Sequence, residues 1–133
     1  MFALWSLLVA AVVVFSAAPA SAKPGGWSNV DNNDKGLLRA LTFAMSEYNA
    51  KSNEEFGRKV MTVRKAKQQI VSGVNYEAQV ETGQTTCTKP IDNIDDCQLH
   101  ESPEMLKRTR CTFKVHMVPW MNIIEVKKSV CYQ

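Results

Sequence analysis

Two histidines, His100 and His116, and four cysteines, Cys87, Cys97, Cys111 and Cys131, are the residues of this 133-residue chain whose types invite chemistry. A cysteine beside a histidine is a nucleophile with its base, and Cys97 with His100 and either Cys87 or Cys111 could hold zinc. The N-terminus argues against both. Residues 1–22 carry no charge, and Leu4 to Ala18 is an apolar run of signal-peptide length, too short to span a bilayer, followed by Pro19 and the pattern Ala20-Ser21-Ala22. We therefore expect a signal peptide over 1–22 and a secreted mature chain, residues 23–133, with cleavage after Ala20 as the alternative.

In an oxidising compartment four cysteines read as two disulfides, and no C-x-x-C pair suggests a metal. Three connectivities are open. Pairing in sequence order, Cys87-Cys97 and Cys111-Cys131, is favoured, each bridge constraining the unfolded chain by about 3 kcal/mol in the loop-entropy account. His116 alternates with Val115 and Met117 and so belongs to a solvent face, while His100 lies in a loop. With no free thiol, no Ser-His-Asp context and no Gly-rich phosphate loop, we expect no enzyme, no metal and no cofactor.

Charge narrows the partners. There are 16 Lys and Arg against 13 Asp and Glu, a net +3 spread over mixed-sign segments, which is too little for nucleic acid. No second apolar stretch reaches membrane-spanning length, and no N-x-S/T acceptor or lipidation signal is present. The mature length suits one domain.

Three places spend residues where packing does not require them. Gln69-Ile70-Val71-Ser72-Gly73 sets two β-branched apolar residues beside a hairpin tip. Pro119-Trp120 sets the largest apolar side chain at another, and Gly25-Gly26-Trp27 gives the N-terminal arm a backbone able to lie close to a second surface. An exposed Trp among apolar turns has the composition of a binding hot spot. The bland readings are a Trp120 ring folded back onto its own sheet and a Gly73 that serves turn geometry alone.

The elements that must position these places follow from periodicity. Lys23 to Asn33 is rich in Pro, Gly and Asn and reads as a flexible arm. Asn32, Asn33 and Asp34 offer helix caps before Leu37, Leu38, Leu41, Ala44, Met45 and Tyr48, whose spacing of three and four predicts a helix of about four turns ending in the polar run Asn49 to Asn53. From Arg58 the period becomes two, through Ile70-Val71, then Val74, Tyr76, Ala78 and Val80 alternate with polar residues, a hairpin turning at Gly73. Residues 87–109 read as a surface excursion pinned by Cys87-Cys97. Cys111 to Met117 and Ile124 to Val130 form a second hairpin around Pro119-Trp120-Met121-Asn122, stapled at its far end by Cys111-Cys131. One helix and four mainly antiparallel strands make an α+β domain, with Tyr76 and Phe113 in its core. In a helix followed by a meander, both hairpin tips point to one end of the sheet, which the arm also reaches.

These residues resemble a family. The pattern Q-x-V-x-G at Gln69 to Gly73, together with Pro119-Trp120, the early glycine Gly25, the cysteine spacing and the helix Arg39 to Asn49, resembles the secreted type 2 cystatins over the whole mature chain. The resemblance implies a cystatin domain over 23–133, one long helix wrapped by a four- to five-stranded antiparallel sheet. It also implies reversible, tight-binding competitive inhibition of papain-like cysteine proteases of the cathepsin type, by a monomer. By that likeness Gly25 and Gly26 form the arm, Gln69, Ile70, Val71, Ser72 and Gly73 fill the centre of the protease cleft, and Pro119 and Trp120 pack on its leaving-group side. The departure is upstream: only Lys23 and Pro24 precede Gly25, where the family commonly carries bulky apolar residues. Some members also inhibit legumain through an asparagine loop after the helix, which Ser52-Asn53-Glu54 resembles, with Glu54 where aspartate is usual. The alternative is a non-inhibitory secreted role, antimicrobial or surface-binding, suggested by Arg58, Lys59, Arg64, Lys65 and Lys67 on one strand, a run more commonly a solvated face.

Overall fold

Leu37, Ala40, Leu41, Ala44 and Met45 recur at the spacing of one helical face, and they are the buried face of α1, Lys35–Lys51, in the computed structural model, which describes residues 25–132. The leader expected over 1–22 lies outside the described residues. Asp34 starts the helix: its carboxylate accepts from the Leu37 N–H at 3.0 Å, satisfying one of the donors that a first turn leaves without a partner. Ser52 ends it in extended backbone, its N–H donating to the Tyr48 carbonyl at 2.9 Å.

Five strands form one sheet in the order β1 (Trp27–Asn29), β2 (Phe56–Val71), β3 (Gly73–Thr88), β4 (Thr109–Val118) and β5 (Ile123–Tyr132), every neighbouring pair antiparallel. Tyr76, Ala78, Val80, Cys111, Phe113, Val115 and Met117 alternate toward α1 and close the core with it. Full burial of a side chain such as Phe113 or Leu37 stabilises by about 1.5–3 kcal/mol. The sheet can wrap the helix because β2 is irregular. Its register with β3 shifts between Phe56 and Arg58, between Val60 and Thr62, and between Val63 and Lys65, and each such bulge bends the strand and increases its twist.

The helix start is pinned to the sheet at Tyr76. Its hydroxyl lies 3.3 Å from the Asp34 carboxylate and abuts Gly36, where a β-carbon would collide with it. Burial, with the Asp34 charge and hydrogen bond adding to it, pushes the Tyr76 phenol above its ordinary pKa.

Both disulfides pair as expected, Cys87 with Cys97 and Cys111 with Cys131. The segment between β3 and β4 holds a single 3₁₀ turn, Ile94–Asp96, and a short helix α2, Pro103–Leu106. It folds back along β3, with Thr86 N–H donating to Gln98 at 2.8 Å and His100 N–H to Gln84 at 3.0 Å.

Three expectations change. The arm read from Lys23 to Asn33 contains a strand, because the outer edge of β2 offers free backbone groups that Trp27, Ser28 and Asn29 pair with at Gln69, Gln68 and Lys67. β3 continues past Glu81 to Thr88, its inward positions there being the buried polar residues Thr82 and Gln84. Arg58 is not part of a solvated basic face: it is 2% exposed. Its guanidinium donates to the Glu54 carboxylate at 3.1 Å, to the Lys107 carbonyl at 2.6 Å and to Thr82 Oγ1 at 3.3 Å. A buried cation persists only when its donors are occupied in this way.

Candidate functional site

Gly73 is the first residue of β3 and pairs directly with Val71, leaving Ser72 at the tip of the hairpin. The turn requires φ +97° at this position, which suits glycine. Space requires it too. A β-carbon on Gly73 would strike the Met117 carbonyl oxygen and come within 2.9 Å of Val118 Cγ2, so the first tip is seated against the end of β4 where the second hairpin begins.

That second tip is a 3₁₀ turn, Pro119–Met121. It is closed by Asn122 in the left-handed region at φ 53°, whose N–H donates to the Pro119 carbonyl at 3.1 Å. Proline suits the first position of the turn because its φ is preset and its missing N–H has no partner there. Trp120 stands 71% exposed and Met121 62% exposed, so the ring does not fold back onto the sheet.

The arm joins the first tip through Gly25, whose N–H donates to the Ile70 carbonyl at 3.2 Å while its own carbonyl accepts from Gln69 Nε2 at 2.5 Å. Gln69 Oε1 accepts from Asn75 Nδ2 at 2.9 Å, and Asn75 Oδ1 lies 2.7 Å from His116 Nδ1. A chain of hydrogen bonds thus runs from the arm through β2 and β3 to β4. Gln69 is therefore a fastener as well as a tip residue, and His116, expected on a solvent face, is a half-buried end of the chain.

Every residue expected at the arm and the two tips from Gly25 onward is therefore brought to one edge. Ile70 is 56% and Val71 38% exposed there, beside Trp120 and Met121, making an apolar ridge of the kind that soluble proteins reserve for contact. Met121 was not singled out by sequence, although its place directly after Trp120 in the same turn was the available signal. Asn75 and His116 could not be found that way, since their roles depend on register. The edge projects. Two grooves of about 450 and 480 Å³ lie on the flanks of α1, beside Tyr48 and Val126 and beside Leu41 and Val63, away from the ridge.

At the other end of the sheet Asn53 is exposed between two anchored neighbours. Ser52 Oγ accepts from the Glu54 N–H at 3.0 Å, and the Glu54 side chain turns inward to Arg58, Gln84 Nε2 and the Tyr48 hydroxyl. Burial alone would raise the Glu54 pKa, but the hydrogen bonds from Gln84 and Arg58, the Arg58 charge and the Tyr48 hydroxyl outweigh it and hold the carboxyl below its ordinary range. The thiols a zinc site would need are in disulfides, and among the described residues no group of three or more His, Cys, Asp or Glu is placed to hold a metal. Among those residues no helix is long and apolar enough to cross a membrane.

A family model described as a cystatin domain matches residues 25–120. The chain belongs to the cystatin family. Cystatin of Gallus gallus is 50% identical over 102 residues, covering 77% of this chain and 73% of the relative. Cystatin-C of Homo sapiens is 39% identical over 133 residues, covering 96% and 91%. Among solved structures, dimeric human cystatin F superposes with a TM-score of 0.78 at 30% identity over 86% of this chain and 91% of that one. The salivary cystatin of the soft tick Ornithodoros moubata gives 0.69 at 26% identity, covering 84% and 100%. Cystatins are inhibitors of cysteine proteases and not enzymes.

Proposed function

We propose that the secreted chain is a reversible, tight-binding, competitive inhibitor of papain-like cysteine proteases, acting as a monomer without a cofactor. Gly25 and Gly26, Gln69 to Gly73, and Pro119-Trp120 enter the active-site cleft together. The observation that supports this most directly is the fastening of arm, first tip and second tip into one exposed apolar ridge by the Gly25–Gln69–Asn75–His116 hydrogen bonds and by the close seat of Gly73 on Met117.

The physics is obstruction. A ridge already held in shape loses little conformational entropy on docking, so its apolar contact converts efficiently into affinity. Main chain tied into two tight turns is also a poor substrate, because cleavage needs an extended segment, which accounts for an inhibitor that survives its target. The short upstream segment, Lys23-Pro24, gives the arm little apolar area of its own, so the two tips carry most of the affinity.

Titration of the folded, disulfide-intact protein against active-site-quantified papain and a cathepsin tests the proposal. Stoichiometric, reversible inhibition weakened by Val71→Asp and by Trp120→Ala supports it. Absence of inhibition by the folded wild type overturns it. A second site, Asn53 toward legumain, rests on that residue's exposure between anchored neighbours. Legumain inhibition abolished by Asn53→Ala, with papain inhibition unchanged, supports that site, and no inhibition of legumain by the wild type rules it out.

A further inference from the structure

The face of the sheet turned away from α1 carries a charge distribution that neither folding nor the ridge accounts for. Along β3 and β4 the residues alternating with the buried core are Glu77, Gln79, Glu81, Arg110, Thr112, Lys114 and His116. Register extends these rows into β2 and β5. Lys67 pairs with Glu77, Glu77 with Lys114, and Lys114 with Lys128, while Lys65 pairs with Gln79 and Arg110 with Tyr132.

Two like charges directly opposite each other, Lys114 and Lys128, cost stability in an isolated sheet. One row along, Arg64, Arg108 and Arg110 all converge on the single carboxylate of Glu81, at 2.7, 3.4 and 3.9 Å, so among the described residues at least two guanidinium charges there have no counterpart. Counting the strand positions alone, Arg64, Lys65, Lys67, Arg110, Lys114 and Lys128 face Glu77, Glu81 and Glu125. That surplus of three cations is as large as the net +3 of the whole chain. A shallow cleft of about 400 Å³ runs through the patch between Arg64, Arg110, Lys128 and Tyr132.

We propose that this outer face binds a linear sulfated polysaccharide of the heparan class. Its cations are carried by β2, β4 and β5, strands of a sheet whose neighbours lie about 4.8 Å apart, and stand among polar residues, which suits a chain bearing repeated sulfate and carboxylate groups. A membrane is the poorer occupant, because surface insertion needs several apolar side chains together between the cations: the exposed apolar residues of this face are Trp27 and Tyr132, on the two edge strands, while Ile70, Val71, Trp120 and Met121 are gathered at the ridge. Nucleic acid is poorer still. The ring of Trp27, on the edge strand β1, is covered by Lys114 Nζ at 5.4 Å from its centroid, which leaves Tyr132 as the open ring on this face among the described residues, where single strands are bound by several stacked in succession. Arg110 and Tyr132 lie at the end of the β4–β5 hairpin opposite Pro119-Trp120, so the polysaccharide and the ridge's partner bind at once.

The test is binding of the full secreted chain to heparin, followed by titration in increasing NaCl. Two triple variants of equal charge are compared: Lys65→Gln with Arg110→Gln and Lys128→Gln on the outer face, and Lys35→Gln with Arg39→Gln and Lys51→Gln on the exposed side of α1. Near-ultraviolet circular dichroism checks that both are folded. The expected result is salt-sensitive binding by the wild type that weakens about tenfold or more in the outer-face variant and changes little in the helix variant. Equal loss in both variants, or no binding by the wild type near physiological salt, overturns the proposal. Equally tight binding to phosphatidylserine vesicles or to a single-stranded oligonucleotide also overturns it, since the face would then answer to negative charge of any kind. The readout does not depend on protease inhibition, so this proposal and the inhibitory one fail separately.

Discussion

Gly73 lies against the backbone of Met117 so closely that a β-carbon there has no room, and its φ of +97° excludes most other residues from the same position. One residue therefore sets both the shape of the first tip and its distance from the second. Gly73→Ala is expected to cost about 1–3 kcal/mol of stability in urea unfolding and to weaken papain inhibition beyond that loss, because the two tips part. Unchanged inhibition by a destabilised variant would separate the turn from the function.

Trp120 is expected to behave in the opposite way. Its ring is exposed and supports nothing in the free protein, so Trp120→Ala changes stability by less than about 0.5 kcal/mol. The inhibition constant rises by about 30-fold or more if the ring is a hot spot at the interface. A thermal melt beside the papain titration reads both.

The arm is expected to rank below the tips. Removing Lys23 to Gly25 takes away the Gly25 hydrogen bonds to Ile70 and Gln69 but little apolar surface. The truncation is expected to weaken inhibition less than Trp120→Ala does. A larger loss in the truncated protein would reverse the ranking.

Arg58 is a structural cation. Arg58→Ala empties a buried place, takes the Arg58 donors from the Lys107 carbonyl and Thr82, and leaves the Glu54 carboxylate with Gln84 and Tyr48 alone, and about 2–4 kcal/mol of stability is expected to go. Denaturant unfolding measures this directly. A loss under about 1 kcal/mol would mean that water takes over the guanidinium's partners.

Glu54 gives the same network a pH dependence. Its folded-state pKa lies below the ordinary 4.5, so the stability it contributes is complete above about pH 4.5 and is lost as pH falls through the lower, folded value. The stability difference between wild type and Glu54→Gln should be largest at neutral pH and shrink below about pH 4.5. A difference that stays constant down to pH 3 would contradict the assignment.

The helix and the first hairpin were legible because their signals are local. Leu37, Leu41, Ala44 and Met45 mark a face whatever they pack on, and Tyr76, Ala78 and Val80 mark another. Both tips were legible for a related reason: apolar residues beside turn formers stand out against the ordinary polarity of turns. The far end of the sheet was not. There the inward positions are Thr82 and Gln84, and what they face is Arg58, so a polar network replaces the apolar alternation that would have betrayed a strand. A run of Arg and Lys reads as solvated until its partners are known, and Glu54, Gln84, Thr82 and the Lys107 carbonyl come from four separate stretches of chain. β1 escaped notice because three residues held by backbone pairing leave no mark on side-chain pattern.

The order of strands across the sheet is also their order along the chain, and that bears on how the disulfides find their partners. No strand has to slide between two others already paired, so each hairpin can zip onto its predecessor at a small cost in loop closure. Only β1 must wait, since α1 lies between it and β2 in the chain. When β4 and β5 zip, Cys111 and Cys131 arrive as registered partners with their α-carbons 4.0 Å apart. Hydrogen-bond register thus presents these two thiols to each other before any oxidant acts, and it selects one pairing from the three that four cysteines allow.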